Sequence, residues 1–306
     1  MDEKTLHRLW CKLKFTESSE RLLEILSAFS YDATKLYQAN AEALRSVGLS
    51  PAERAALADK RLSAAKKEYQ NCLSNNIRML WFSDPSFPDC MRGMKNMPVM
   101  LFARGNVSLL QKPLICVVGP RKVTKIGRVS TDRITKKLLS YGFSIITGSA
   151  EGVDSIALAN SFQCKMPVVS VLGCGMNIDY PRGFLSHGTH KSIINGGGLI
   201  LTEYPFGSQP LSDHFRVRNQ LLSVLSQAVI ITEGGIRSGG MITANYAMQH
   251  GRGLFVFPGH VDDTHYEGCN RLIFDGATPV TNPDTLAYDL YSLYKDFLPQ
   301  KKEMIR

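Results

Sequence analysis

The sequence predicts an α/β chain in which a mainly parallel, doubly wound sheet follows a small helical domain. Two observations carry this. After Pro113, six short apolar runs alternate with amphipathic stretches of helical period. The runs are continuous in Val, Ile and Leu rather than alternating, as in strands covered on both faces, and such strands belong to parallel sheets. A length of 306 residues suits one large α/β domain with a smaller appendage, and a hydrophobic content of 44% supplies its core.

Residues 1–78 form the appendage, expected to be helical. RLLEILSAF sets Leu22, Leu23, Leu26 and Phe29 on one helix face, and AEALRSVGLSPAERAALADKRL continues at helical spacing. Between these stretches, Gly48 ends one helix, while Ser50 and Pro51 supply the cap and first-turn proline of the next. Such helix–turn–helix units can grip a DNA backbone, but a packing or protein-contact bundle is the expectation here.

The main domain is expected over 79–285 and a tail over 286–306. From Trp81 to Leu110 the chain reads as irregular, with Met91, Met94, Met97 and Met100 expected in the core. The predicted strands are LICVV (114–118), FSIIT (143–147), VVSVL (168–172), LILT (199–202), AVIIT (228–232) and LFVF (254–257). Helices are expected near 127–140, 153–163, 183–195, 213–226 and 240–250.

A formal charge of +9 favours polyanionic partners, although it serves solubility equally well. Seven scattered cysteines without a CxxC pair read as buried free thiols in a reducing compartment. The opening MDEKTLHRLW lacks an apolar stretch, and no run approaches the ~18 residues of a membrane span. The expected location is the cytoplasm, without membrane contact.

Ligands of open parallel sheets bind at the carboxyl ends of the strands, and the informative residues follow those ends. Gly119, Arg121 and Lys122 follow the first run; the window from Gly119 to Lys137 holds seven basic residues against Asp132 alone, some of them ordinary solvated helix charges, and Arg121, beside the strand end, is the expected anion contact. Gly148 and Gly152 flank the turn after the second, where Asp154 is expected to orient the loop. The fourth leads to Asp213, a candidate helix cap, then to Phe215, Arg216, Arg218 and Asn219. Arginines beside an aromatic suit single-stranded nucleic acid, and a core role for Phe215 is equally open. Ser238, Gly239 and Gly240 make a donor-rich loop at a helix start, and Asn270 and Arg271 follow the last run.

The GxG of GCGMNIDYPRG fails the dinucleotide fingerprint, and neither a P-loop, a GxSxG nor an HExxH occurs. His187 and His190 lie on an expected helix without acidic or thiol partners, so neither a metal nor a cofactor is expected. A crest rich in donors and poor in bases indicates binding rather than catalysis.

The ordered set VGPRKVTKIG, TGSAEGVD, VLGCGMNIDYP, EYPFG, FRVRNQLLSVLS, EGGIRSGGMITA, VFPGHVD and GCNRLIFDGA strongly resembles the DNA-processing protein A (DprA/Smf) family. Each motif is weak alone, but eight in one order, over about residues 17–281, are specific. The resemblance implies an extended Rossmann-like fold behind a small helical domain of sterile-alpha-motif (helix-hairpin-helix-like) type, dimerisation, and single-stranded DNA in a basic pocket at the strand ends. It also implies a role in natural transformation, shielding incoming strands and helping to load a RecA-type recombinase. Arg121 then matches the arginine of the family's GSR motif, Arg216 and Arg218 fall in its FxxRNR segment, and Ser238–Gly240 match its SGS turn.

Four positions depart from that pattern. Pro120 replaces a serine, Glu151 an arginine, Gln220 the second arginine of RNR, and Phe274 a commonly basic residue, all lowering positive charge near the pocket except the first. A chain ending at Arg306 leaves too little for the winged-helix domain of some members. An alternative is a nucleotide-cleaving phosphoribohydrolase of the lysine-decarboxylase-like type, whose PGGxGTxxE loop corresponds to EGGIRSGGMITAN. No Asp or Glu occurs from Gly234 to Val261, so the acid is missing there, leaving Glu203 and Glu233.

Overall fold

A computed structural model describes residues 2–16 and 18–299. Six helices open the chain: α1 (Glu3–Lys14), α2 (Ser19–Ser27), α3 (Ala33–Gln38), α4 (Ala41–Arg45), α5 (Pro51–Ala58) and α6 (Ser63–Ser74). Local chemistry starts most of them. Asp2, Asp32 and Asn40 accept backbone N–H bonds at the starts of α1, α3 and α4. Ser50 and Glu53 form a reciprocal capping box around Pro51 at α5, just after Gly48 turns the chain at φ +60°. Leu22 and Leu26 are fully buried, with Leu23 and Phe29 packed partly against the same core. Trp10 is also buried, and its indole N–H donates to the Asp59 carbonyl at 2.9 Å.

The sheet comprises β1 (Ile77–Trp81), β2 (Met100–Gly105), β3 (Leu114–Val118), β4 (Ser144–Thr147), β5 (Val168–Val171), β6 (Leu199–Thr202), β7 (Ala228–Ile231), β8 (Gly253–Val256) and β9 (Thr278–Pro279). Its order is β1-β2-β6-β5-β4-β3-β7-β8-β9. All neighbours from β6 to β9 along that order are parallel, whereas β1 and β2 add an antiparallel edge. From β3 the chain winds outward through β4, β5 and β6, then returns to lay β7 on the other flank of β3. The topological switch point therefore lies between β3 and β7, as a doubly wound sheet requires.

The connecting helices are α7 (Lys125–Ser140), α8 (Val153–Gln163), α9 (Thr189–Asn195), α10 (Ser212–Leu225), α11 (Gly239–Gln249), α12 (Glu267–Phe274) and α13 (Pro283–Tyr294). They gather in two sets: α7 packs on α8 and α13, and α10 packs on α11. Strands β3 to β7 are buried along their whole length, which is why each reads as a continuous apolar run.

Several elements differ from expectation. The stretch 81–110 is not wholly irregular, because it carries the end of β1 and all of β2; Met91, Met97 and Met100 are buried there and Met94 packs partly on the core. The helix expected over 183–195 is confined to Thr189–Asn195, since Gly183 and Gly188 take φ +91° and +77°. His187 thus precedes the helix. Asp213 does not cap α10 but sits exposed within its first turn. Residues 286–294, expected in a tail, belong to α13, whose Leu286, Ala287 and Leu290 are buried and whose Tyr291 stacks on Tyr141 at 4.9 Å. The rest of that tail beyond 299 lies outside the described residues. Five cysteines are buried, but Cys90 and Cys164 are exposed.

The helical region is tied to the sheet by polar contacts. The Glu68 carboxylate on α6 accepts the Phe206 N–H at 2.9 Å, and Arg8 on α1 pairs with Asp84 at 3.0 Å. Among the described residues no helix is long and apolar enough to cross a membrane.

Candidate nucleic-acid interface

A cleft of about 440 Å³ opens over the switch point. Val118, Gly119 and Pro120 line it at the end of β3, Ala150 and Asp154 after β4, and Phe215, Arg218 and Asn219 from α10. Ser238, Gly239, Gly240 and Thr243 come from the start of α11, and Arg121 stands at the mouth. Six of the sequence-predicted residues, which follow β6 and β7, thus converge with Gly119 and Arg121, which follow β3, on one concavity.

Close approach of a guanidinium and of backbone explains the glycines of the second turn. A Cβ at Gly148 would lie 1.7 Å from the Arg218 Nη1, so only glycine leaves room for that guanidinium. Gly152 takes φ +82°, and a Cβ there would meet the Pro120 carbonyl oxygen at 2.2 Å. The two loops can therefore press backbone against backbone. Between them, buried Ser149 adopts φ +55°, held by its hydroxyl 2.6 Å from that of Ser170.

Arg218 is an internal charge. It is 8% exposed, donates from Nη1 to the carbonyls of Gly148 (2.7 Å) and Val171 (3.2 Å), and from Nε to the Asn219 Oδ1 (3.0 Å). Burial pulls its pKa down, opposed by the Asp154 carboxylate. Burial in turn pushes Asp154 up, opposed by Arg218 and by the N–H groups of Ala150 and Gly148. Asp154 accepts those N–H bonds at 3.2 and 3.1 Å, which orients the turn. Arg218 therefore sets a fixed positive wall, while Arg121 is exposed at the mouth.

Between these arginines stands an aromatic pair. Arg121 donates from Nη2 to the Tyr180 hydroxyl at 3.0 Å, the Tyr180 ring lies 5.1 Å from the half-buried Phe215 ring, and the Arg218 guanidinium carbon lies 5.7 Å from Phe215. Sequence reasoning missed Tyr180. Its only signal was the aromatic in NIDYPRG, and it reaches the cleft through a contact 59 residues away from its partner.

The start of α11 completes the donor set. Its first two N–H groups, of Gly239 and Gly240, lie ahead of the intrahelical bonds, and the buried Ser238 hydroxyl oxygen has no hydrogen-bond partner among the described residues. A helix N-terminus with an unsatisfied hydroxyl at a cleft suits an anionic oxygen.

Other predicted residues lie elsewhere. Lys122 and Arg216 are exposed but do not line the cleft. Asn270 is consumed by the loop after β8, exchanging bonds with the Gly259 N–H and C=O at 3.2 and 3.0 Å. Arg271 pairs with Asp275 at 3.0 Å and covers Phe274. Neither joins the cleft, because α12 turns both toward its own surroundings. Gln220 is buried and donates to the Lys95 carbonyl at 2.8 Å; Glu151 is exposed in the turn before α8.

The two carboxylates named for the hydrolase alternative are buried. Glu233 accepts the Thr124 hydroxyl at 2.7 Å and its N–H at 3.1 Å, fixing the approach to α7, and Glu203 also has partners. No cluster of His, Cys, Asp and Glu able to hold a metal occurs among the described residues.

Fold and cleft together define a doubly wound α/β protein with a cleft over the strand ends at its switch point. The family model of DNA recombination-mediator protein A matches residues 78–291. DNA processing protein DprA of Streptococcus pneumoniae is 35% identical over 222 residues, covering 72% of this chain and 76% of its own. Protein Smf of Escherichia coli is 28% identical over 90% of this chain and 75% of its own. The X-ray structure of the S. pneumoniae protein superposes with a TM-score of 0.78 at 29% identity, covering 92% of this chain and 97% of that one. DNA processing protein A of Helicobacter pylori, whose structure concerns its single-stranded DNA binding mode, superposes at 0.62 and 29% identity, over 71% and 97% of the two chains. The chain belongs to the DprA/Smf family of DNA recombination-mediator proteins.

Proposed function

We propose that this protein is a single-stranded DNA-binding recombination mediator that acts without catalysing a reaction. The observation that carries the reading is the switch-point cleft, which the open end of α11, the unpartnered Ser238 hydroxyl, Arg121 and Phe215 line together, with Tyr180 bridging Arg121 to Phe215. A phosphate fits the donors, and the aromatic pair offers a base its face irrespective of sequence. Gly119, Gly148, Gly152, Arg218, Asn219, Gly239 and Gly240 shape this receptor. Lys122 and Arg216 extend positive charge beyond it.

Family membership supports the wider role: shielding incoming transforming DNA and helping to load a RecA-type recombinase, as a cytoplasmic homodimer. The helical segment over residues 1–78 and the sheet domain from 79 are proposed as separate units of that mediator.

Oligothymidylate titration by fluorescence anisotropy at several salt concentrations tests the reading. Binding should be sequence-tolerant, and log K should fall linearly with log salt as phosphate neutralisation releases counterions. Absence of binding at low salt would overturn it, and release of free base from nucleoside monophosphates would support the hydrolase instead.

A further inference from the structure

The seven cations from Arg121 to Lys137 fall into two groups. In the later half of α7, Arg133 and Lys137 both face the Asp284 carboxylate of α13, and Lys136 pairs with Asp132 at 2.9 Å. The earlier four, Arg121, Lys122, Lys125 and Arg128, are all exposed, and none makes an ion pair among the described residues. Lys125 and Arg128 are i, i+3 neighbours, with Cβ atoms ~5–6 Å apart on the helix surface, where like charges repel. The same helix thus neutralises its far cations and leaves crowded, unneutralised ones beside the cleft.

Two exposed apolar side chains interleave with this row. Ile126 and Val129, also i, i+3, are 68% and 66% exposed. Val129 and Arg128 border a concavity of about 520 Å³ between α7 and α8, lined by the apolar Ile156 and Ala159, the polar Ser155 and Asn160, and Asp132, whose charge Lys136 offsets. It adjoins the cleft because the loops leading into both helices meet there: the Val153 N–H donates to the Pro120 carbonyl, next to Arg121.

We propose that a DNA strand leaving the cleft continues down the first turns of α7, with its phosphates on Lys122, Lys125 and Arg128. Its sugars and bases rest on Ile126, Val129 and the α7–α8 concavity. This track rests on the cleft reading and extends it. A row of unpaired cations interleaved with apolar side chains meets a polyanion with planar apolar faces, and continuity with Arg121 distinguishes DNA from an acidic protein partner.

Anisotropy titrations with oligothymidylates of about 4 and about 20 nucleotides separate cleft from track, the shorter being about the smallest single-strand site. The double variant Lys125→Gln with Arg128→Gln should bind the long oligonucleotide about tenfold more weakly at low salt, and its salt slope should fall by about 1.4, at ~0.7 per phosphate contact. Affinity for the short one should stay within about twofold, since the track lies outside the cleft. The control Lys136→Gln with Lys137→Gln removes the same charge from the same helix and should leave the slope unchanged. Thermal unfolding of both variants establishes that folding is intact. Unchanged long-strand binding in the first variant overturns the track while leaving the cleft standing. Equal losses in both variants overturn it in favour of bulk charge. If the unaltered protein binds neither length, cleft and track fail together.

Discussion

The Arg218 guanidinium occupies the space a side chain at position 148 would fill, donating to the Gly148 carbonyl oxygen at 2.7 Å. This contact joins the turn after β4 to α10 and fixes a buried positive charge at the cleft wall. Gly148→Ala should therefore push Arg218 out of place, lowering stability by about 1–3 kcal/mol through overpacking and weakening DNA binding with it. Arg218→Ala should be worse, because it removes the hydrogen bonds that Arg218 donates to the Gly148 and Val171 carbonyls together with the positive charge that favours the buried Asp154 carboxylate. Adding Asp154→Asn to Arg218→Ala should recover some of the loss. Urea unfolding of the single and double variants measures the coupling, and additive losses would contradict it.

Arg121 and Lys137 lie at opposite ends of the basic window but have different partners. Arg121 stands at the cleft mouth beside Tyr180, whereas Lys137 faces Asp284 and lies over the Tyr141 ring. Arg121→Ala should reduce oligothymidylate affinity about tenfold or more, since it removes a charge-assisted phosphate contact. Lys137→Ala should change it less than about twofold, as for a screened surface charge. Equal effects in a titration at one salt concentration would move the binding site off the switch point.

How far the sequence shows these features depends on how local their causes are. Strands β3 to β7 are legible because burial on both faces leaves only apolar residues, and α5 because Ser50, Pro51 and Glu53 carry its start in four positions. Strands β1 and β2 are not, because Arg78 and Arg104 interrupt them on a half-open antiparallel edge. The cleft's glycines and Arg121 could be read from strand ends. Tyr180 could not, since its place beside Arg121 and Phe215 arises only once β5 lies beyond β4. Asn270 and Arg271 also follow a strand end, but their bonds to Gly259 and Asp275 turn them away from the cleft, which their place after a strand does not show.

The Arg21–Glu53 pair predicts an acid-sensitive helical region. Arg21 holds both Glu53 oxygens, at 2.6 and 3.1 Å, and Glu53 also accepts the Ser50 N–H of the capping box at 2.7 Å. The Arg21 hydrogen bond is the largest cause of a Glu53 pKa lowered from 4.5 to about 2. Because the folded-state value lies below the unfolded one, the stabilisation is full above the unfolded value and drains away as pH falls from there through about 2. Partial exposure of both side chains screens the pair and keeps the effect modest. Arg21→Ala should flatten the dependence of the unfolding midpoint between about pH 5 and pH 2, read by circular dichroism. An unchanged acid limb would place the sensitivity elsewhere.

Glu151 bears on the strength of DNA binding. It is exposed in the turn between Ala150, which lines the cleft, and Gly152, whose backbone packs on Arg121. A carboxylate there opposes phosphate at the mouth without supporting the fold, since among the described residues it takes part in no ion pair or side-chain hydrogen bond. Neutralising it should strengthen binding while leaving unfolding temperature nearly unchanged. Glu151→Gln should raise oligothymidylate affinity about threefold at low salt, and Glu151→Arg more, with a steeper salt slope because a phosphate contact is added. The gain should shrink as salt rises and screening shortens the reach of the charge. Affinities that stay level across Glu, Gln and Arg at this position would mean that the strand enters the cleft from the α10 side, past Arg216, and never passes the turn before α8.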